Sequence, residues 1–265
     1  MPMANINGIN INYKVQGQGE PLIMIMGAGS NQSGWRYQIG SFKKYFRTIT
    51  FDNRGVGKSD KPSGPYTMKM MADDTIGLMD HLNIEKAHIL GGSMGGMIAQ
   101  ELAINHPERV DKLVLACTFA RRDEKSGFSS EINKAIEAYA ASRDEASQRR
   151  LFSVFMDSVS NKWSYRILIL PLMKIAIRFF APPKGVAEQF EAVLAHDAAD
   201  RLGMIKASTL VITGTEDRAI KPISSEVIAS LVPNAKLVKV LGGGHNFHIE
   251  MRGEFNKEVL DFLRN

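Results

Sequence analysis

Short runs of mainly apolar residues recur along this 265-residue chain and constrain its fold more than any other feature. The runs lie at 22–26, 87–90, 113–117 and 210–212. An uninterrupted apolar run is typical of a parallel strand, because such a strand is covered on both faces. Stretches that favour helices lie between or after these runs, at 67–82, 97–106 and 223–231. The alternation predicts an α/β protein with a mainly parallel sheet.

The N-terminal segment has a different pattern, with apolar residues at every second position. The apolar positions are Ile9, Ile11, Tyr13 and Val15. This alternation predicts a strand with one buried face. Asn7-Gly8 precedes the strand and suits a tight hairpin turn, because both residues tolerate a positive φ. We therefore expect the sheet to begin with an antiparallel hairpin.

Residues 119–196 interrupt the alternation of strands and helices. The stretch 123–160 is charged and favours helices, whereas 167–180 is strongly apolar. Lys174 and Arg178 interrupt the apolar stretch, so it falls short of the roughly 20 apolar residues that a membrane span needs. The sequence therefore predicts that these residues form a helical segment inserted into the α/β fold. It does not predict a protein that inserts stably into a membrane.

The distribution of charge and the cysteine content exclude some classes of function. The chain has 33 Lys and Arg against 28 Asp and Glu, a net charge of +5, and the two signs are interspersed. This is not the pattern of a nucleic-acid-binding surface. Cys117 is the only cysteine, which excludes an internal disulfide and a cysteine-based zinc site. The N-terminus has no basic region followed by an apolar run, so we expect a cytoplasmic protein.

The most specific motif is the segment 91–96, which follows the apolar run 87–90 and precedes a helix. It has the G-x-S-x-G pattern in the strand–turn–helix context that gives this pattern its meaning. Gly91 and Gly95 leave room for a turn that is too tight for a Cβ atom. The turn presents Ser93 above the carboxyl edge of the sheet and directs helix N–H groups at an anion beside it. Ser93 is therefore the candidate nucleophile, and a serine in a structural glycine-rich turn is the alternative.

A serine nucleophile needs a base, and His245 is the candidate. It ends the glycine-rich segment 242–245, between a late strand and the last helix, where a loop would present it at the carboxyl edge of the sheet. His248 is the local alternative, although we expect it to lie in or beside the final helix. Three other histidines lie in a strand or near helix ends and are predicted to be structural: His81, His88 and His106.

The acid that orients the base should follow another strand and lie between the nucleophile and the base in the chain. Asp217, a few residues after the run 210–212, meets both conditions, and Glu216 is the alternative. Asp52 precedes the serine, so its place in the chain is wrong. The segment 52–59 around it is predicted to be a structural turn, because it lacks the spacing of a phosphate-binding loop.

These motifs together resemble the α/β-hydrolase fold family, in its cap-bearing branch of esterases, enol-lactonases and carbon–carbon bond hydrolases. The resemblance covers nearly the whole chain and rests on the segments 91–96, 52–59, 214–217 and 244–245. It implies a mainly parallel eight-stranded sheet with helices on both faces. It also implies a hydrolase core at 1–118 and 197–265, with a helical cap inserted at 119–196.

By this resemblance Ser93 is the nucleophile, Asp217 the acid and His245 the base of a catalytic triad. The implied function is hydrolysis of carboxylic esters of small-to-medium apolar substrates through an acyl-enzyme, with no metal and no organic cofactor. An enol-lactonase, or a carbon–carbon bond hydrolase of ring-cleavage products, would use the same triad. A non-catalytic small-molecule receptor is the alternative from another class. The sequence is compatible with a homodimer.

By the same resemblance, the backbone N–H groups of Ala28 and Met94 would bind the oxyanion. Met94 is the better fixed of the two because it directly follows the nucleophile, whereas the donor at Ala28 could shift by one residue in its loop. Relatives often carry His-Gly where this chain has Met26 and Gly27, and that histidine is structural. The methionines at 24, 26, 94 and 97 are expected to fill the core or to line an adaptable apolar pocket.

Overall fold

The computed structural model describes residues 2–123, 125–142, 144–160, 167, 170–172 and 184–265. The described part of the chain has one central sheet of eight strands. The strands are β1 (Met3–Ile6), β2 (Ile9–Gln16), β3 (Glu20–Ile25), β4 (Phe46–Phe51), β5 (Ala87–Gly92), β6 (Val110–Ala116), β7 (Ser208–Gly214) and β8 (Ala235–Val240). Their order across the sheet is β1-β2-β4-β3-β5-β6-β7-β8. The strands β3 to β8 run parallel, whereas β1 and β2 pair antiparallel. The mainly parallel sheet is therefore confirmed.

The central parallel strands are buried on both faces, which explains why their sequence is apolar without alternation. In β3, Leu22 and Met24 belong to one apolar cluster, and Ile23 and Ile25 belong to the cluster on the opposite face. All four side chains are fully buried. Burying a side chain of this size contributes about 1.5–3 kcal/mol, so both faces of the sheet stabilise the fold.

Helices cover both faces of the sheet, with α2 and α3 on one face and α1 and α9 on the other. The helices are α1 (Arg36–Phe42), α2 (Met68–His81), α3 (Met94–Asn105), α4 (Ser130–Ser142), α5 (Glu145–Ser158), α6 (Lys184–Leu194), α7 (Ile223–Leu231), α8 (Phe247–Glu250) and α9 (Arg252–Arg264). The predictions at 67–82 and 223–231 correspond to α2 and α7. The prediction at 97–106 begins too late, because the turn at Ser93 leads directly into α3 at Met94.

The hairpin at the N-terminus has the predicted turn. Asn7 and Gly8 both adopt a positive φ, of 50° and 80°. The turn lets β1 and β2 pair antiparallel, with Ile6 opposite Ile9. These two strands then extend the parallel sheet at one edge, because β2 pairs antiparallel with β4.

The helices α4, α5 and α6 belong to the segment 119–196. Arg121 and Asp197 form an isolated bridge, so the two ends of this segment lie side by side. Val159, just after α5, accepts a hydrogen bond from the backbone N–H of Asn246 at 3.0 Å. Since Asn246 follows β8, this contact ties α5 to the carboxyl edge of the sheet.

The apolar run at 167–180 falls mostly outside the described residues. Among the helices that the structure describes, none combines the length and the apolar character that a bilayer crossing requires. The division into a core at 1–118 and 197–265 and a cap at 119–196 stays a prediction.

Candidate active site

The turn between β5 and α3 carries Ser93 in a strained backbone conformation, with a φ of 54° and a ψ of −122°. A Cβ on Gly91 would lie 2.2 Å from the carbonyl oxygen of Gly95, and a Cβ on Gly95 would lie 2.1 Å from that of Ile25. Both distances are far below van der Waals contact, so glycine is required at both positions. The two glycines thus allow the tight turn that the G-x-S-x-G pattern predicts.

Two loops at the carboxyl edge of the sheet bring His245 and Asp217 to Ser93. Nε2 of His245 lies 3.2 Å from Oγ of Ser93, and Nδ1 lies 2.8 Å from Oδ2 of Asp217. A carboxylate beside Nδ1 keeps a proton there, which leaves Nε2 free to accept the proton of the serine hydroxyl. The three candidates taken from the sequence therefore lie in one line of hydrogen bonds.

The loop after β7 fixes the orientation of Asp217. Oδ1 accepts hydrogen bonds from the backbone N–H groups of Ala219 at 2.8 Å and Ile220 at 2.9 Å, while Oδ2 faces His245. Glu216, the alternative acid, is exposed. The geometry therefore pairs the histidine with Asp217 and not with Glu216.

His248, the alternative base, lies in α8 and packs against aromatic rings. Its ring centroid is 5.4 Å from that of Trp35 and 6.1 Å from that of Phe255. Burial, with a smaller contribution from the charge of His245, lowers the pKa of His248 to about 3. Its imidazole is therefore neutral at neutral pH. The hydroxyl of Ser93 is hydrogen-bonded to His245 instead.

The remaining histidines contact polar groups elsewhere in the fold. His81 lies 3.4 Å from the hydroxyl of Tyr13, His88 lies 3.2 Å from Glu20, and His106 lies 3.4 Å from Asp73. These contacts fit the structural roles predicted for the three residues. His196 is buried, and burial lowers its pKa to about 4 against the attraction of the nearby Glu101 carboxylate.

The loop after β3 passes close to Ser93. A Cβ on Gly27 would lie 3.1 Å from Cβ of Ser93, so the missing side chain allows the close approach. The N–H of Gly29 donates to a side chain of α6 at 2.9 Å, and that of Ser30 donates back to Gly27 at 3.3 Å. Among the described residues, the N–H of Ala28 has no hydrogen-bond partner. This pattern makes Ala28, and not Gly29, the available donor of the loop.

The methionines around the turn have two different surroundings. Met24, Met94 and Met97 are fully buried in the core, whereas Met26 lines the cavity beside Ser93. The core interpretation therefore holds for three of them and the pocket interpretation for Met26. Since Met94 opens α3, its backbone N–H is one of the first four of the helix, which have no partner within the helix.

A cavity of about 200 Å³ opens beside Ser93 and His245. The described residues that line it are Met26, Gly27, Ala28, Gly29, Ser30, Trp35, Gly92, Ser93, Ala116, Cys117, Phe152, Phe155, Met156, Val159, His245, Asn246 and His248. None of these is Lys, Arg, Asp or Glu. The ring of Phe155 packs edge-on against the ring of His245, with 5.9 Å between the centroids. The cavity is therefore mainly apolar around the reactive groups.

The wall that α5 contributes to this cavity was not predicted from the sequence. That wall consists of Phe152, Phe155 and Met156, with Val159 just beyond the helix. The signal that could have found it is the helical spacing of large apolar side chains in an otherwise charged stretch. Sequence alone does not say which face of such a helix meets the sheet.

Asp52 and Arg54 form hydrogen bonds that fix the turn predicted at 52–59. Asp52 accepts hydrogen bonds from the backbone N–H groups of Gln32 at 2.9 Å and Lys58 at 2.8 Å. Arg54 makes a two-pronged pair with Asp74, at 2.6 and 2.7 Å. Neither residue lines the cavity. Within the described part of the chain, no group of His, Cys, Asp or Glu side chains is arranged to hold a metal ion.

A serine on a tight strand–turn–helix, followed along the chain by an acid and a histidine on later loops, is the arrangement of the α/β-hydrolases. The family model for the alpha/beta hydrolase fold matches residues 20–251 of this chain. The chain belongs to this family.

Relatives and solved structures match nearly the whole chain. The protein named "Putative carbamate hydrolase RutD" of Azorhizobium caulinodans is 29% identical over 264 residues, which cover 99% of this chain and 98% of that protein. The 2-hydroxymuconate semialdehyde hydrolase of Pseudomonas putida is 32% identical over 269 residues, which cover 97% of this chain and 91% of that protein. The crystal structure of the enol-lactonase from Burkholderia xenovorans LB400 matches with a TM-score of 0.82, 30% identity and full coverage of both chains.

Proposed function

We propose that the protein is a serine hydrolase that cleaves carboxylic esters of small-to-medium apolar substrates through an acyl-enzyme. The observation that carries the proposal is the hydrogen-bonded line from Oγ of Ser93 through His245 to Asp217, with distances of 3.2 and 2.8 Å. A serine hydroxyl is a weak nucleophile and needs such a base to attack a carbonyl carbon. Membership of the hydrolase family supports this chemistry.

The first half of the reaction transfers the acyl group to the enzyme. Oγ of Ser93 attacks the carbonyl carbon of the ester while its proton moves to Nε2 of His245, and Asp217 stabilises the imidazolium that forms. The N–H groups of Ala28 and Met94 bind the negative charge on the former carbonyl oxygen. Donors of this kind contribute roughly 3–4 kcal/mol each to the transition state. The bond to the alcohol then breaks, and His245 gives its proton to the departing oxygen.

The second half of the reaction releases the acid. A water molecule attacks the carbonyl carbon of the acyl-enzyme, and its proton moves to Nε2 of His245. The bond between the acyl carbon and Oγ of Ser93 breaks, and the serine oxygen takes the proton back from His245. The same two N–H groups bind the second oxyanion, so one arrangement serves both steps.

The volume and the lining of the cavity support the proposal that the substrates are small and neutral. Its volume of about 200 Å³ is below the roughly 300–1,000 Å³ of pockets that hold drug-sized ligands. Apolar side chains form much of the described wall, including Trp35, Phe152 and Phe155. No described lining residue is Lys or Arg, so a substrate carboxylate would lose its hydration there without gaining a cationic partner.

A lactonase is the second candidate, because the enol-lactonase structure matches this chain over the full length of both chains. A lactone is a cyclic ester, so the same residues would open the ring while the alcohol oxygen stays attached to the acyl group. Hydrolysis of a carbon–carbon bond in a ring-cleavage product would use the same triad. It would need, in addition, a leaving carbon that is stabilised as an enol.

A substrate panel run beside Ser93→Ala tests the proposal. The panel holds p-nitrophenyl esters from acetate to dodecanoate, simple lactones and vinylogous diketones. We expect the highest kcat/KM for esters of short and medium acids, and a loss of roughly 10⁴-fold or more in the variant. Activity confined to lactones or to diketones would support one of the alternatives. Binding of panel members without turnover would favour a receptor and contradict the proposal.

A further inference from the structure

A glutamine of α6 connects this helix to the loop beside Ser93. Gln189 is fully buried, and its Oε1 accepts the backbone N–H of Gly29 at 2.9 Å. Its Nε2 donates to the carbonyl oxygen of Arg54 at 2.7 Å. One carboxamide therefore links α6 to two loops, which follow the neighbouring strands β3 and β4.

The backbone around Gln189 is docked closely against the same two loops. A Cβ on Gly185 would lie 2.3 Å from the carbonyl oxygen of Gly55, so the start of α6 touches the backbone of the second loop. A Cβ on Gly29 would lie 3.4 Å from Cγ1 of Val186, which is ordinary contact distance. The hydrogen bonds of Gln189 therefore belong to a packed interface and not to a loose surface contact.

We propose that Gln189 is a positioning residue that selects the N–H group offered to the oxyanion. The inference rests on the proposed function, in which the N–H of Ala28 binds that oxyanion. Of the three N–H groups at 28–30, that of Gly29 is bonded to Gln189 and that of Ser30 turns back into the loop. By bonding the N–H of Gly29, Gln189 leaves Ala28 as the donor and fixes the adjoining peptide plane.

We expect the loss of the Gln189 amide to change the geometry of the loop at 28–30 more than the stability of that loop. Gly29 is exposed, so water can replace the glutamine oxygen as the acceptor of its N–H. Water does not hold that N–H in one direction, and Gly29 has a φ of 70° in a loop that glycine makes adaptable. Without the glutamine, the loop can present Ala28 in several orientations, and the oxyanion then meets a poorly aligned donor.

Gln189→Met tests this role, because methionine has a similar length but makes neither hydrogen bond. We expect kcat for the best p-nitrophenyl ester to fall about 10- to 100-fold, with KM within about twofold of the wild type. The affinity for a trifluoromethyl ketone, which forms a charged hemiketal with Ser93, should fall by a similar factor. Glu191→Ala is the matched control on the same helix and should leave kcat and inhibitor affinity unchanged.

Three outcomes would contradict the inference. Wild-type kcat in folded Gln189→Met would show that the loop needs no such support. A raised KM at unchanged kcat would assign the glutamine to the shape of the pocket. The third outcome involves a second variant, Gln189→Asn, whose amide is one methylene shorter. In the folded state this variant should lose kcat similarly. If both variants failed to fold, the amide would serve the fold as a whole.

Ser93→Ala, measured in the same assays, separates this inference from the proposed function. Turnover that survives in Ser93→Ala would overturn the proposed function itself. An inactive Ser93→Ala beside an unimpaired Gln189→Met would leave the proposed function in place and overturn only the role of Gln189.

Discussion

Oδ2 of Asp217 lies 2.8 Å from Nδ1 of His245, and the other oxygen of the carboxylate accepts two backbone N–H groups of its own loop. The carboxylate is therefore held in one orientation by three hydrogen bonds. Both side chains are buried, so water screens their attraction only weakly. A histidine oriented in this way can accept the proton of Ser93 without rearranging.

Asp217→Asn should lower kcat roughly 10⁴-fold and change KM little, because the asparagine amide can favour the wrong tautomer of His245. Steady-state kinetics on the best ester check this expectation. Glu216→Gln is the matched control, since the neighbouring carboxylate is exposed, and it should stay within about twofold of the wild type. A severe loss in the control beside a silent Asp217→Asn would move the acid to Glu216.

Ser93→Gly should be more stable than Ser93→Ala by about 1 kcal/mol, because the φ of 54° and ψ of −122° at this position disfavour any residue with a Cβ. Urea unfolding of the two inactive variants measures the difference. Neither variant has the hydroxyl, so the comparison isolates the backbone. Equal stabilities, or a more stable Ser93→Ala, would contradict this expectation.

Phe155→Ala should widen the cavity and shift the ester preference toward longer chains, because the phenyl ring packs against His245 and forms part of the wall. We expect kcat/KM for the best short ester to fall about 10-fold, as befits the loss of apolar contact in a pocket. Ser153→Ala on the same helix is the control, because Ser153 does not line the cavity. An unchanged chain-length profile would exclude α5 from the substrate site.

Stability should fall in mild acid because two histidines are buried in their neutral form. Burial lowers the pKa of His248 to about 3 and that of His196 to about 4. The unfolded chain takes up protons on both near the usual pKa of about 6.5, before the folded chain does. The free energy of unfolding should therefore decrease as the pH falls from about 6.5 toward 4. The slope reaches at most about 1.4 kcal/mol per pH unit for each histidine.

Urea unfolding at about pH 7, 6 and 5 measures this slope. His248→Gln should flatten it, because one of the two buried neutral groups is gone. Ser153→Ala is the control, since it removes no ionisable group, and it should keep the wild-type slope. A slope in His248→Gln as steep as in the wild type would assign the acid sensitivity to other groups.

The sheet and the serine turn could be predicted because their signals are local. A buried parallel strand is apolar at successive positions, and a turn without room for Cβ needs glycine at Gly91 and Gly95. Chain order then selected Asp217 and His245 from several acids and histidines. The edge strand β8 gives a weaker signal, because most of its residues are half-buried or exposed.

The contacts made by α5 and α6 could not be predicted, because they depend on how helices from one segment pack on distant loops. Gln189 matches no motif. Its only sequence signal is a polar side chain on a helix face that also carries Val186 and Val193, both buried. That signal indicates a buried polar group with a partner but does not identify Gly29 or Arg54.

Mass spectrometry after treatment with a fluorophosphonate tests the central claim most directly, since the reagent reacts with a serine that a neighbouring histidine activates. We predict one phosphonyl adduct for each chain, on the peptide that carries Ser93, and none on Ser93→Ala. His245→Ala should slow the labelling by orders of magnitude, because the base that removes the serine proton is gone. Folded wild-type protein that stays unlabelled, or that is labelled equally fast without His245, would contradict the claim.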